Sequence, residues 1–109
     1  MTLLNLNQYG PHFQIKVLSS LLTHKEFLIN IHDTLSEDYF DNQAHKWVIK
    51  EVLRYYDKYH TTPSMDILKV EVKKIDNEIL QLSIKEQLRE AYQASEDDLE
   101  YVHFVKINS

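Results

Sequence analysis

Residues 36–63 read SEDYFDNQAHKWVIKEVLRYYDKYHTTP, and this stretch decides the predicted fold. Ser36 can cap a single turn, SEDYF, and the last residue of that turn, Phe40, is expected to plug the core. Asn42 can then cap a long helix that runs to about His60. We expect the other elements of the chain to pack against this central helix.

Two short helices precede the central helix and form a predicted helical hairpin. The first runs from His12 to about Leu22, because apolar residues recur there at a helical spacing: Phe13, Val17, Leu18, Leu21 and Leu22. Residues 23–26 have the form of a capping box, in which a Thr hydroxyl and a Glu carboxylate each accept from a backbone amide. The second helix follows this box, and its apolar face consists of Phe27, Leu28, Ile31 and Leu35.

Three further helices follow the central one. The Thr-Pro pair at 62–63 marks the first, since a Pro at the first helical position misses no amide donor. Residues 68–72 alternate between apolar and charged side chains, but a strand there would have no partner, so we prefer a helix. The next helix starts at Asp76 or Asn77 and runs to about Ala94, and a second capping box at 95–98 starts the last one. The chain is therefore predicted to be all-α, a compact bundle of about six helices.

Composition supports this fold class and excludes several functions. The chain has 109 residues with one Gly, two Pro and no Cys, so it lacks the turn residues of an all-β protein and the thiols of disulfide and cysteine chemistry. The single glycine, Gly10, precedes Pro11, whereas a phosphate-binding loop needs several glycines so that backbone amides can approach phosphate. The net charge of −5 argues against a strong nucleic-acid binder, because phosphate neutralisation needs clustered Lys and Arg.

The chain divides into three predicted parts. Residues 1–11 form a leader, residues 12–95 a helical globular domain, and residues 96–109 the start of a further helix. That last helix ends without a glycine stop signal, which indicates that the natural polypeptide continues into a hairpin or linker. No apolar run approaches the ~20 residues that a membrane-spanning helix needs, and the N-terminus is not a signal peptide.

A basic stripe on the central helix is the candidate nucleic-acid contact. Its members stand four residues apart, opposite a broad apolar face: Lys46, Lys50, Arg54 and Lys58. The alternative is a solvated face, since Glu51 and Asp57 are neighbours and the whole chain is acidic. The apolar face is wider than one core contact needs, so it could pack on two sides or lie at an interface.

Two features are candidate protein interfaces. Trp47 lies off the apolar face of the central helix, where it is either a partner-facing anchor or a residue covered by a neighbouring helix or by the leader. The last helix has apolar residues on more than one side, and Tyr101, Phe104 and Val105 are the residues we expect at an interface. That helix belongs either to the core or, as we prefer, to a helical hairpin that pairs with another subunit.

No catalytic, cofactor-binding or metal-binding residues are predicted in the chain. Its six His residues include no pair at the i, i+4 spacing of a helical zinc site. The chain contains no Gly-x-Ser-x-Gly nucleophile motif. Its acidic pairs fall at helix starts and on exposed faces, where they cap and solvate rather than hydrolyse.

The order of the elements resembles the N-terminal domain of DnaB-type hexameric replicative helicases, and it is most similar to the version carried by large tailed bacteriophages. The matching segments are residues 18–35, 36–40 and 44–68, and residues 94–106 resemble the acidic start of the next helix in the phage version. Residues 76–93 share only the helical character. The positions that match the family pattern are Leu21, Leu22, Phe40, His45, Tyr56, Pro63 and Leu68.

This resemblance implies a non-catalytic collar domain. In that family the N-terminal domain pairs subunits above the motor ring, encircles the DNA path, and offers a docking surface for primase or a helicase loader. ATP and Mg²⁺ are then expected only in a separate P-loop motor domain, and contact between this domain and DNA is expected to be weak or absent. The resemblance also implies a homo-oligomer in the cytoplasm of the host cell, with no membrane partner.

Two other functions remain open at this point. One is a small helical DNA-binding or helicase-loader module that uses the basic stripe, and it predicts salt-dependent DNA binding. The other is a small stand-alone enzyme, which the missing nucleophile, metal and phosphate motifs disfavour.

Overall fold

The protein is described by a computed structural model, which covers the backbone of residues 10–108 and the side chains of residues 12–94. Within that range the fold is all-α and contains no strand, as predicted. A single 3₁₀ turn, Glu37–Tyr39, separates the second helix from the third. The helices are α1 (Pro11–Thr23), α2 (Lys25–Ile31), α3 (Gln43–Tyr59), α4 (Met65–Lys73) and α5 (Glu78–Asn108).

The predicted entry into the central helix is confirmed. The Ser36 hydroxyl accepts from the backbone amide of Asp38 at 3.2 Å and caps the 3₁₀ turn. The Asn42 side chain accepts from the amides of Ala44 and His45 at 2.8 and 3.2 Å, which satisfies two of the donors that the start of α3 leaves free. Phe40 is fully buried between these two caps, as expected of a core plug.

The core lies where α1, α3 and α5 meet. Its buried members on α3 are Ala44, Val48, Ile49 and Val52, and those on α5 are Ile84, Leu88 and Ala91. Burying each Val, Leu or Ile contributes about 1.5–3 kcal/mol. Helices α1 and α5 both pack against α3, as expected of a central helix, but α1 packs more extensively against α5 than against α3.

The buried face of α1 is rotated from the predicted one. Phe13 was expected to lead the apolar face, but it is 41% exposed, whereas Gln14, Ile15 and Ser19 are buried. Because α1 lies against both α3 and α5, its buried arc is set by two neighbours rather than by its own apolar spacing. The apolar periodicity alone could not include Gln14, whose burial depends on a partner on α3.

The predicted capping box at residues 23–26 is wrong. Thr23 is the last residue of α1, and its hydroxyl donates to the Ser19 carbonyl at 2.6 Å instead of capping α2. His24, in an extended conformation, precedes α2 without any side-chain cap. The helix then ends at Ile31, so Leu35 lies beyond it.

The start of α4 is two residues later than predicted. Ser64 is the cap, and its hydroxyl accepts from the amide of Ile67 at 3.3 Å. Thr62 instead donates to the carbonyl of Leu21 at 3.0 Å, which ties this connection to the end of α1. Pro63 is fully buried and stands before the helix rather than in its first turn. Residues 68–72 are helical, so the preference for a helix over a strand is confirmed.

The last two predicted helices are one. Asn77 caps α5 by accepting from the amide of Leu80 at 3.0 Å, as one of the two predicted starts. The helix then runs without a break through residues 95–98, so the second capping box is wrong, and residues 10–108 form five α-helices instead of the expected six or so. Ser and Asp cap a helix only where the residues before them are not helical. Residues 95–98 contain no Gly or Pro that would end the preceding helix. Residues 1–9 of the predicted leader lie outside the part of the chain that the structure describes.

Candidate functional site

The basic stripe lies on the outer side of α3, but its members differ in their surroundings. Lys46 is half-buried, and its ammonium donates to the Glu37 carbonyl at 3.4 Å, so it holds the 3₁₀ turn. Lys50 and Lys58 are exposed. The Lys58 ammonium lies 5.3 Å from the centre of the Tyr59 ring, within the range of a cation–π contact. The stripe is therefore not four equivalent free cations.

Arg54, the third member of the stripe, is compensated by carboxylates. Its guanidinium donates to Glu51 at 2.6 Å and lies 3.8 Å from Glu71. Glu71 also pairs with Lys74 at 3.1 Å, so one carboxylate from α4 serves cations from two helices. The hydrogen bond that Arg54 donates to Glu51, followed by the negative charge of Glu51, raises the pKa of Arg54. These ion pairs balance the positive charge of the stripe locally, around Arg54.

A groove of about 660 Å³ separates α3 from α4 beside Arg54. Two tyrosines of α3, Tyr55 and Tyr59, line it with their ring centres 4.5 Å apart, and Tyr59 is 53% exposed. The charged residues that line it have both signs: Glu51, Arg54, Lys58, Asp66 and Glu71. We call it the mixed groove. It offers aromatic surface and hydrogen-bonding groups, but no net attraction for a ligand of one charge.

A polar cluster inside the helical core was not predicted as such. His45 is 2% exposed, and its two ring nitrogens lie 3.2 Å from Oε1 of Gln14 and 2.5 Å from Oε1 of Gln87. Its ring meets that of Phe40 edge-on at 5.9 Å. One side chain of α3 therefore joins α1 and α5 through the core. The available signal was Gln14, a polar residue among apolar ones on the first helix.

The His45 cluster connects α1, α3 and α5 through a buried imidazole. Burial lowers the pKa of His45, and the hydrogen bond with Gln87 and the charge of Glu90 oppose this in part. A neutral imidazole has one donor and one acceptor nitrogen, so only one of the two Gln oxygens can accept from it, and the other amide group must turn to present its NH₂. No nucleophile lies among these partners, and no group of three or more potential metal ligands occurs in the described part of the chain.

The predicted interface residues fall in two places. Trp47 is half-buried and packs against the edge of the core, and its role as a partner-facing anchor stays a prediction. Tyr101, Phe104 and Val105 belong to the final turns of α5, whose side chains lie outside the described residues. Their role in subunit pairing stays a prediction.

Comparisons of the chain with family models, with curated proteins and with solved structures give no match. Among the described residues, none of the helices combines the length and the apolar character needed to cross a bilayer.

Proposed function

We propose that this chain is the non-catalytic N-terminal collar and scaffold domain of a phage-type replicative DNA helicase. In this role it pairs helicase subunits and docks primase or a helicase loader during DNA replication. ATP and Mg²⁺ act in a separate motor domain. The compartment that this role implies is the host-cell cytoplasm.

The observation that supports the proposal is the burial of the residues that match the helicase pattern. All of them except the half-buried Tyr56 lie in the interior: Leu21, Leu22, Phe40, His45, Pro63 and Leu68. His45 and Pro63 are the most informative, because general helical amphipathicity does not place a His or a Pro in a core. The pattern thus corresponds to one packed arrangement of α1, α3 and α4.

The electrostatics of α3 agree with a domain that touches DNA weakly. Binding a phosphate backbone needs several uncompensated cations in a row. Here the Lys46 ammonium donates to the carbonyl of Glu37 within the domain, and Arg54 is paired with acids from two helices. The remaining pair, Lys50 and Lys58, neutralises few phosphates.

The test is the molar mass of the purified chain, measured by light scattering over a concentration series. We expect a dimer, or a hexamer built from dimers, at the higher concentrations. Tyr101→Glu combined with Phe104→Glu should give a monomer if the end of α5 pairs subunits. Tyr59→Glu combined with Ile79→Glu is the matched control, because it adds the same two negative charges at residues that are 53% and 81% exposed elsewhere on the surface. A monomer at every concentration, or ATP turnover by this chain, would contradict the proposal.

The alternative is a small DNA-binding or helicase-loader module, and one observation favours it. Lys50 and Lys58 are exposed and have no ion-pair partner among the described side chains. This function predicts that a labelled single-stranded oligonucleotide binds at low salt and dissociates as salt rises. The charge reversals Lys50→Glu and Arg54→Glu should then abolish binding. An anisotropy titration that is flat at low salt would eliminate this alternative.

A further inference from the structure

A second groove, between α4 and α5, has a different composition from the mixed groove. Its volume is about 540 Å³. Helix α4 contributes Met65, Lys69, Val72 and Lys73, and α5 contributes Lys85, Leu88, Arg89, Tyr92 and Gln93. We call it the cationic groove. Among the described side chains, no carboxylate lines it, although the chain as a whole contains 17 acidic residues against 12 Lys and Arg.

The floor of the cationic groove is apolar. Val72 and Leu88 are 1% and 4% exposed, and they form its base where α4 meets α5. Met65 and Tyr92 are half-buried along its length. Burial raises the pKa of Tyr92, so its phenol stays neutral and available as a hydrogen-bond donor. An apolar side chain that entered this groove would leave water for a prepared hydrophobic surface.

The rim carries four exposed cations, two from each helix: Lys69, Lys73, Lys85 and Arg89. Arg89 donates to Glu86 at 2.6 Å, and both side chains of this pair are largely exposed. The three lysines have no ion-pair partner among the described side chains. A third of the Lys and Arg of an acidic chain therefore surrounds one apolar floor, and much of this charge is uncompensated.

The shape of the cationic groove suits a helix. On α4 the lining residues lie at i, i+4, i+7 and i+8, and on α5 they lie at i, i+3, i+4, i+7 and i+8. Each wall is thus one face of a helix, and the nine residues of α4 give a length of roughly 13 Å, a little over two helical turns. A third helix laid between two such walls would place anchors at i, i+3 or i+4, and i+7.

We propose that the cationic groove binds an acidic amphipathic helix of a partner protein, whose apolar residues lie on the floor and whose carboxylates meet the lysines of the rim. A nucleic acid would use the cations but leave the floor unfilled, because its bases stack on exposed rings and Tyr92 is half-buried. The proposal depends only on this groove, so it can fail without affecting the helicase proposal, and the reverse also holds.

The probe is a fluorescein-labelled helical peptide of about 14 residues, stapled on its outer face so that it is helical when free. It carries Leu at i, i+4 and i+7 and Glu at the flanking positions. One control peptide replaces each Glu by Lys, and a second replaces each Leu by Ala. We expect saturable binding of the first peptide to the whole chain in fluorescence anisotropy. Both controls should bind at least about tenfold more weakly.

Two protein variants locate the binding. Lys69→Glu with Lys85→Glu reverses one exposed charge on each wall and should weaken the acidic peptide at least about tenfold. Lys25→Glu with Lys50→Glu changes the net charge equally on exposed residues that do not line the groove, and it should bind like the wild type. Circular dichroism verifies that both variants remain helical.

Three results would overturn the proposal. The first is equal binding of the acidic and the basic peptide. The second is an equal loss of affinity in the two protein variants, which would indicate only a general effect of net charge. The third is displacement of the labelled peptide by a thymidine oligonucleotide at the same concentration at which the unlabelled acidic peptide displaces it. That result would assign the groove to nucleic acid.

Discussion

The two sides of α4 differ in how their charges are balanced. On the side of α3, Glu51 and Glu71 pair with Arg54 and Lys74, so the mixed groove is nearly neutral. On the side of α5 the rim is cationic, and Glu86 is the one carboxylate paired with it in the described part of the chain. The net charge of a domain therefore does not predict the potential of a particular groove. What matters is whether carboxylates from the facing helix reach the cations.

The largest effect is expected from the helix that both grooves share. Leu68→Ala removes a residue that is 1% exposed and should lower the free energy of unfolding by about 2–5 kcal/mol. Both grooves depend on the position of α4, so this change should also weaken peptide binding. Urea denaturation measures the loss. Val70→Ala is the control, because Val70 is 54% exposed on the same helix and its loss should cost less than about 0.5 kcal/mol.

The contrast between the grooves can be reduced by removing acids from the mixed groove. Glu51→Gln with Glu71→Gln would leave Arg54 and Lys74 without their carboxylate partners, beside the exposed Lys58 that also lines the mixed groove. We expect the affinity for a short single-stranded oligonucleotide at low salt to rise about threefold to tenfold. Anisotropy at increasing salt measures it. The pair Glu26→Gln and Glu78→Gln changes the same charge at exposed sites, and an equal rise there would refute this account.

The Ser64 cap stabilises the first turn of α4. Ser64→Ala removes the oxygen that accepts from the amide of Ile67 and should lower stability by about 1 kcal/mol, as read by thermal denaturation. Ser64→Asp should restore most of it, since Asp is an equally good cap. Failure of the Asp variant to recover would mean that the hydroxyl is not the cap.

The smallest effect is expected at the His45 cluster and is read as a change in pH dependence. Burial lowers the pKa of His45 below its ordinary value of 6.5, so the folded state takes up its proton less readily than the unfolded chain. The contribution to stability is therefore present above pH 6.5 and is lost as the pH falls from there through the folded-state pKa.

His45→Gln should flatten the dependence of the melting temperature on pH in this interval. The measurement is a series of thermal melts between about pH 7.5 and pH 5. His24→Gln removes one exposed imidazole as a control, and a flattening of equal size there would contradict the assignment to His45.

Sequence alone determined the local features that depend on neighbouring residues. Ser36, Asn42 and Phe40 have the roles that their positions indicate, because a cap or a core plug beside a helix start needs only a few adjacent groups. The all-α class followed from the single Gly and the repeated helical spacing. The basic stripe of α3 was also visible, although the carboxylate that compensates it from α4 was not.

Tertiary structure decided everything that requires a partner distant in the chain. Thr62 bonds to Leu21, and His45 meets Gln14 and Gln87, across separations that no local pattern encodes. The cationic groove likewise exists because α4 and α5 place their lysines on opposite sides of one apolar floor. A helix pattern specifies which residues share a face, but the neighbour that this face meets depends on packing energy summed over the whole domain.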